Sequence, residues 1–161
     1  MQVIFSNRAY ASIISEIHER PNLETGGIFL GCHKIKVWYV LESIDPGPNA
    51  VFDTNFFEYD REYTEHLINR TASIYQDEMS LIGLWHKHPD FCNTFSSVDD
   101  ETNIKFAQMS SSGAISVIVN VDPAIRLSTF HVKLPLTYTK IKYMVGDNKI
   151  PEQLLQLKDY L

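Results

Sequence analysis

Two short runs of this 161-residue chain hold residue types at a spacing that can do chemistry: Trp85-His86-Lys87-His88-Pro89 and Ser96-Ser97-Val98-Asp99. Ser80 to His88 reads as a buried strand ended by Pro89. Strand side chains alternate, so His86 and His88 point to the same side and one ion could take both imidazoles. Asp99, eleven residues beyond His88, can return at the start of the next helix as a third ligand, leaving the fourth position of a catalytic zinc to water. Two nitrogens and one oxygen suit Zn2+. Such an ion lowers the pKa of water toward neutrality and polarises a carbonyl, but hydrolysis also needs a proton carrier. Glu24, just before Thr25-Gly26-Gly27 at the head of a predicted strand, is the candidate general base and acid, since small glycines there let another backbone or a substrate approach. Ser96, three residues before Asp99, could donate to the oxyanion of a tetrahedral intermediate.

Each residue also has an ordinary explanation. Ser96 and Ser97 are natural helix N-caps, Asp99 and Asp100 complement a helix dipole without any metal, and Glu24 alone suits a solvated charge before a turn. Capping does not, however, require a His-x-His-Pro upstream, and joint occurrence in one frame favours chemistry. Cys92, in the loop beside the histidines, lacks a residue to orient a base and reads as a plain thiol. His18, His33, His66 and His131 show no ligand spacing.

The elements that must position these residues follow from periodicity. Ser6 or Asn7 can cap a helix over 6–20, with Tyr10, Ile13, Ile14 and Ile17 on one face and Pro21 as its stop. Residues 26–31 and 36–44 predict a hairpin, and 58–78 predicts a longer amphipathic helix through Tyr59, Tyr63, Leu67, Arg70 and Ile74. After the strand ending at His88 come a helix over 97–110, strands over 114–121, 125–134 and 138–145, and a short C-terminal helix carrying Leu154, Leu155 and Leu157. The order implies one mixed α/β domain over 1–161, without internal repeats.

Composition narrows the classes further. Gly plus Pro number 14, and the hydrophobic fraction of 44% and charged fraction of 21% are ordinary for a globular domain. No apolar run reaches membrane-spanning length and the N-terminus does not resemble a signal peptide, so a cytoplasmic protein with no membrane partner is expected. A net charge of −6 argues against non-specific nucleic-acid binding. Two cysteines, Cys32 and Cys92, suit reduced thiols.

The joint pattern resembles the JAMM motif of the JAB/MPN metalloprotease family: an upstream glutamate, His-x-His-Pro, seven intervening residues counted from Pro89, then Ser-x-x-Asp. The resemblance implies a mixed β-sheet flanked by helices, related to the cytidine deaminase fold, over about residues 1–135. It also implies His86, His88 and Asp99 as zinc ligands, Glu24 as general acid/base and Ser96 as oxyanion donor. Lys87 stands where many members have Ser or Thr; it is expected to point away from the metal and to alter substrate contacts. The activity implied is zinc-dependent isopeptidase or peptidase cleavage after the C-terminus of a ubiquitin-like protein, a deubiquitinase-like deconjugation. Compact bacterial members include the deconjugating peptidase of CBASS anti-phage defence, which makes a nucleotidyltransferase C-terminal tail a second expected substrate. A sulfur-carrier or small-molecule amide hydrolase and a non-catalytic MPN scaffold are the alternatives. A nucleobase deaminase is disfavoured because Pro89 is followed by Asp90-Phe91-Cys92-Asn93 rather than Cys-x-x-Cys. Oligomeric state is not legible.

Overall fold

The structure, a computed structural model, describes residues 1–159. In chain order the elements are β1 (Gln2–Phe5), α1 (Asn7–Glu19), β2 (Thr25–Lys34), β3 (Val37–Ile44), β4 (Val51–Phe52), β5 (Phe57–Glu58), α2 (Arg61–Ile74), β6 (Ser80–Lys87), α3 (Ser97–Ala107), β7 (Ala114–Asn120), β8 (Arg126–Lys133), β9 (Thr137–Val145) and α4 (Glu152–Leu155), with a 3-10 turn over Asp147–Lys149. The architecture is the mixed sheet flanked by helices that the sequence implies, and its two edges meet. Strands run β1-β3-β2-β6-β7-β8-β9, and β1 pairs in parallel with both β3 and β9 to close a barrel. Closure leaves these strands without a free edge.

Local chemistry explains most element ends. Ser6 caps α1 by accepting from the Ala9 N–H at 3.0 Å, and its own hydroxyl donates to the Leu41 carbonyl at 2.7 Å. The buried face of α1 is Ala9, Ile13, Glu16 and Ile17, so Tyr10 and Ile14 are only half-buried. Asp60 caps α2, and Tyr75 leaves the helix to donate its hydroxyl to Glu42 at 2.6 Å, which shortens α2 relative to the 58–78 pattern. Helix α3 ends at Ala107, three residues short of the expected stop. The C-terminal helix is a single turn: Leu154 is buried, whereas Leu157 lies beyond the helix and is 45% exposed.

The largest buried apolar cluster joins Val3, Phe5, Phe29, Trp38, Val117 and Ile141 of the strands to Ala9, Ile13 and Ile17 of α1. Helix α1 packs on β2 and β3, and α3 packs on β6, β7 and β8. The two central strands therefore carry the site between two helices. Strand β6 is antiparallel to β2 and parallel to β7, buried from Ile82 to Lys87. Gly83 is the close approach of that arrangement, since a Cβ there would lie 1.9 Å from the Ile115 carbonyl oxygen. Gly83→Ala should destabilise the fold by about 2 kcal/mol or more through overpacking, lowering Tm by roughly 5 °C in a chain of this size. Unchanged thermal unfolding would contradict this packing.

Candidate metal centre

The site forms where β2 begins and β6 ends. Antiparallel pairing sets Gly26 opposite His86 and Thr25 opposite Lys87, so Glu24, one residue before β2, arrives beside His88. A Cβ on Gly26 would meet the Trp85 carbonyl at 2.3 Å and the Phe57 ring at 2.5 Å. The glycine thus admits neighbouring strand backbone and an aromatic ring. On the other side, His86 pairs with Ile118 of β7, and the His88 N–H donates to the Val119 carbonyl at 3.1 Å.

The structure brings all five sequence-predicted residues together. His86 Nε2 and His88 Nε2 are 2.8 Å apart. Asp99 Oδ1 lies 3.6 Å from His86 Nε2, Asp99 Oδ2 lies 3.7 Å from His88 Nε2, and Glu24 Oε1 lies 3.8 Å from His88 Nε2. His88 Nδ1 donates to the Cys92 carbonyl at 2.7 Å, which directs its Nε2 toward the centre. Two imidazole nitrogens facing one point at this distance repel unless a proton or a cation lies between them. The donor set of His86, His88 and Asp99 therefore fits a divalent ion of zinc's preferences.

Burial and charge set the protonation of this cluster. Burial pushes His86 down to about 4, against attraction from Asp99. Burial also works to lower His88, but the Asp99 carboxylate, the Cys92 carbonyl and the charge of Glu24 outweigh it and lift the group to about 9. Asp99 is held below the usual carboxylate range: burial opposes this, and His88, His86 and the Ser96 hydrogen bonds overcome it. Glu24 is raised, first by burial and then by repulsion from Asp99 and Asp90, with His88 opposing.

Ser96 caps α3 beside the candidate centre. Its Oγ accepts the Asp99 N–H at 3.2 Å while its N–H donates to Asp99 Oδ2 at 2.7 Å, a capping box that fixes the carboxylate. The hydroxyl proton is not consumed by this bond, and Ser96 lines both cavities beside the centre.

Lys87 points away from the centre, as the strand alternation requires, but it is 0% exposed. Its Nζ donates to the Arg20 carbonyl. The expected change in substrate contacts is corrected accordingly: a side chain buried against the end of α1 does not meet a ligand.

Two contributors escaped the sequence. Asn120, buried at the end of β7, donates to the Cys92 carbonyl at 3.0 Å and to the Asp90 carbonyl at 3.3 Å, holding the loop that orients His88. The pair β4 and β5 brings Asp53 to the site, where its carbonyl accepts the Glu24 N–H at 2.9 Å. Asn120 sits at the C-terminal end of the strand next to β6, which a topology alone would have flagged. The β4–β5 pair is too short for a periodicity signal.

His88, Asp90 and Cys92 form a second group with ligand atoms in mutual reach. Nδ1 of His88 is already engaged there, and Asp90 and Cys92 are exposed. Asp99→Asn should therefore weaken zinc affinity by more than the roughly 10–100-fold that loss of an outer-shell partner costs, whereas Cys92→Ser should leave it unchanged. Chelator competition on the two variants measures both; the reverse ranking would move the centre to the loop.

Similarity to known proteins agrees with this architecture. The chain matches the solution structure of protein DSY2949 from Desulfitobacterium hafniense with a TM-score of 0.60 at 12% identity, covering 89% of this chain and 92% of that one, which is a likeness of fold. No curated protein is significantly similar in sequence. Residues 6–130 match the family described as prokaryotic homologs of the JAB domain, and by that match over most of its length the chain belongs to the JAB/MPN family.

Proposed function

We propose that this protein is a zinc-dependent JAMM peptidase that hydrolyses the amide or isopeptide bond after the C-terminal tail of a ubiquitin-like protein or of a nucleotidyltransferase. The observation that carries the reading is the convergence of His86, His88 and Asp99 on one point with the Glu24 carboxylate 3.8 Å from His88. Glu24 stands beside the three converging groups without being one of them, the place of a proton carrier rather than of a ligand. Family membership makes hydrolysis the common chemistry of such a centre.

A polypeptide substrate is favoured by the shape of the surroundings. Two cavities, of about 470 and 290 Å3, flank the centre and share Glu24, Asn55 and Ser96 in their linings. His88 lines the larger cavity and His86 the smaller, so an extended chain that occupies both runs beside the two imidazoles. A small amide would need only one cavity.

Held by His86, His88 and Asp99, a zinc ion would supply Lewis-acid polarisation of the scissile carbonyl and acidify water. Glu24 then takes the proton from the attacking water on its carboxylate and carries it to the leaving nitrogen. The Ser96 hydroxyl donates a hydrogen bond to the oxygen that gains charge in the tetrahedral intermediate. Asp53, through its carbonyl, keeps the Glu24 backbone in place during the transfer.

The narrower reading is a deconjugating enzyme of anti-phage defence acting in the cytoplasm, with residues 1–161 forming one domain. Reporter fusions to the tails of ubiquitin, a sulfur carrier and a nucleotidyltransferase test it. Cleavage of the nucleotidyltransferase tail is expected, cleavage of the sulfur-carrier tail alone would make the protein a carrier hydrolase, and cleavage of none by the zinc-loaded chain would overturn the proposal. Glu24→Gln should retain zinc yet lose roughly 10²–10⁴-fold in turnover; a variant with near-normal rate would remove Glu24 from the proton path.

A further inference from the structure

The smaller cavity beside the centre, of about 290 Å3, is lined by Glu24 and His86, by the apolar side chains of Phe57, Leu84 and Val98, and by Asn103. Asn103 follows Asp99 by four residues on α3, so the two share a helix face. It is 1% exposed, and its Oδ1 has no hydrogen-bond partner. The amide cannot be turned round to remove that orphan. Tyr138 gives its one hydroxyl proton to Asp100 Oδ1 at 2.5 Å, so the phenol oxygen is left to accept, and it accepts from Asn103 Nδ2 at 3.1 Å. The carbonyl end of Asn103 is therefore the end without a partner, in a side chain that borders the cavity.

We propose that this cavity is a specificity pocket for a substrate side chain with an apolar stem and a hydrogen-bond donor at its tip, a hydroxyl or carboxamide whose proton Asn103 Oδ1 accepts. Phe57, Leu84 and Val98 receive the stem. A wholly apolar side chain would leave that carbonyl without the partner it lacks. A carboxylate would bring further acceptors toward Oδ1 and meet the charges of Glu24 and Asp99. The inference rests on the peptidase reading for the word substrate, while the binding preference itself is independent of turnover.

Paired probes separate these cases: the N-acetyl amides of tyrosine and phenylalanine, and of glutamine and methionine, titrated into the full chain with and without Zn2+ and followed by amide NMR. The tyrosine and glutamine probes are expected to bind roughly tenfold more tightly than their partners, the weight of one hydrogen bond to an otherwise orphaned acceptor, and to shift the Asn103 side-chain amide signals. Asn103→Leu should erase the preference within each pair. Val98→Trp, at a 65% exposed position that leaves the core untouched, should weaken both members of each pair together. Equal affinities within the pairs, or no saturable shifts around the cavity with any probe, would overturn the pocket. A chain that discriminates within the pairs yet cleaves no tail fusion would keep the pocket and lose the peptidase.

Discussion

Everything at the functional end of this molecule depends on holding two imidazole nitrogens 2.8 Å apart. Strand alternation puts both rings on one side of β6, and pairing on both flanks, to β2 and to β7, prevents the strand from rotating them apart. The remaining freedom is removed by carbonyls and amides rather than by more charge. The Cys92 carbonyl fixes the tautomer and rotation of His88, and Asn120 fixes that carbonyl. The loop after His88 is thus a positioning device, although its side chains face solvent.

The opposite side of the same strand ends is braced by a second polar cluster. Glu16 of α1 is buried and accepts from Thr25 Oγ1 at 2.5 Å and from Arg20 Nε at 3.1 Å, and Lys87 donates to the Arg20 carbonyl. Burial raises Glu16 and lowers Lys87, while their neighbours' opposite charges work against both shifts. Buried charges of this kind persist only when paired and hydrogen-bonded. Thr25 adjoins Glu24 and Lys87 lies between the histidines, so the cluster ties α1 to the backbone beneath the site. Arg20 extends it outward, its guanidinium lying 3.6 Å over the Phe52 ring of the short β4–β5 pair.

The site was more legible in the sequence than the barrel that carries it. His86, His88 and Asp99 announce themselves because their chemistry demands a fixed spacing along the chain, and α1, β2, β3 and β6 follow from their own periodicity and stops. Closure depends instead on β1, four residues whose partners lie at 37–40 and 142–145. No local pattern encodes a pairing of that separation. Lys87 illustrates the complementary limit: alternation gives the direction of a side chain but not what waits there, and only the packing of α1 turns an apparent surface residue into a buried donor. Asn103 was illegible for a similar reason, since its orphaned oxygen is defined by Tyr138 and Asp100, one of them 35 residues away.

The two explanations that Ser96 and Asp99 admit in the sequence are compatible within one arrangement. A capping box ordinarily uses Glu or Gln at the third helical position; here the shorter Asp99 takes the Ser96 N–H on Oδ2 and leaves Oδ1 toward His86. The first turn of α3 supplies positive potential at that carboxylate, which favours its ionised form and aims it. A longer side chain could close the same box but would carry its free oxygen past the imidazoles. The cap thus selects a residue whose reach suits a ligand, and the helix start is the part of the site that ties the stability of α3 to the geometry of the centre.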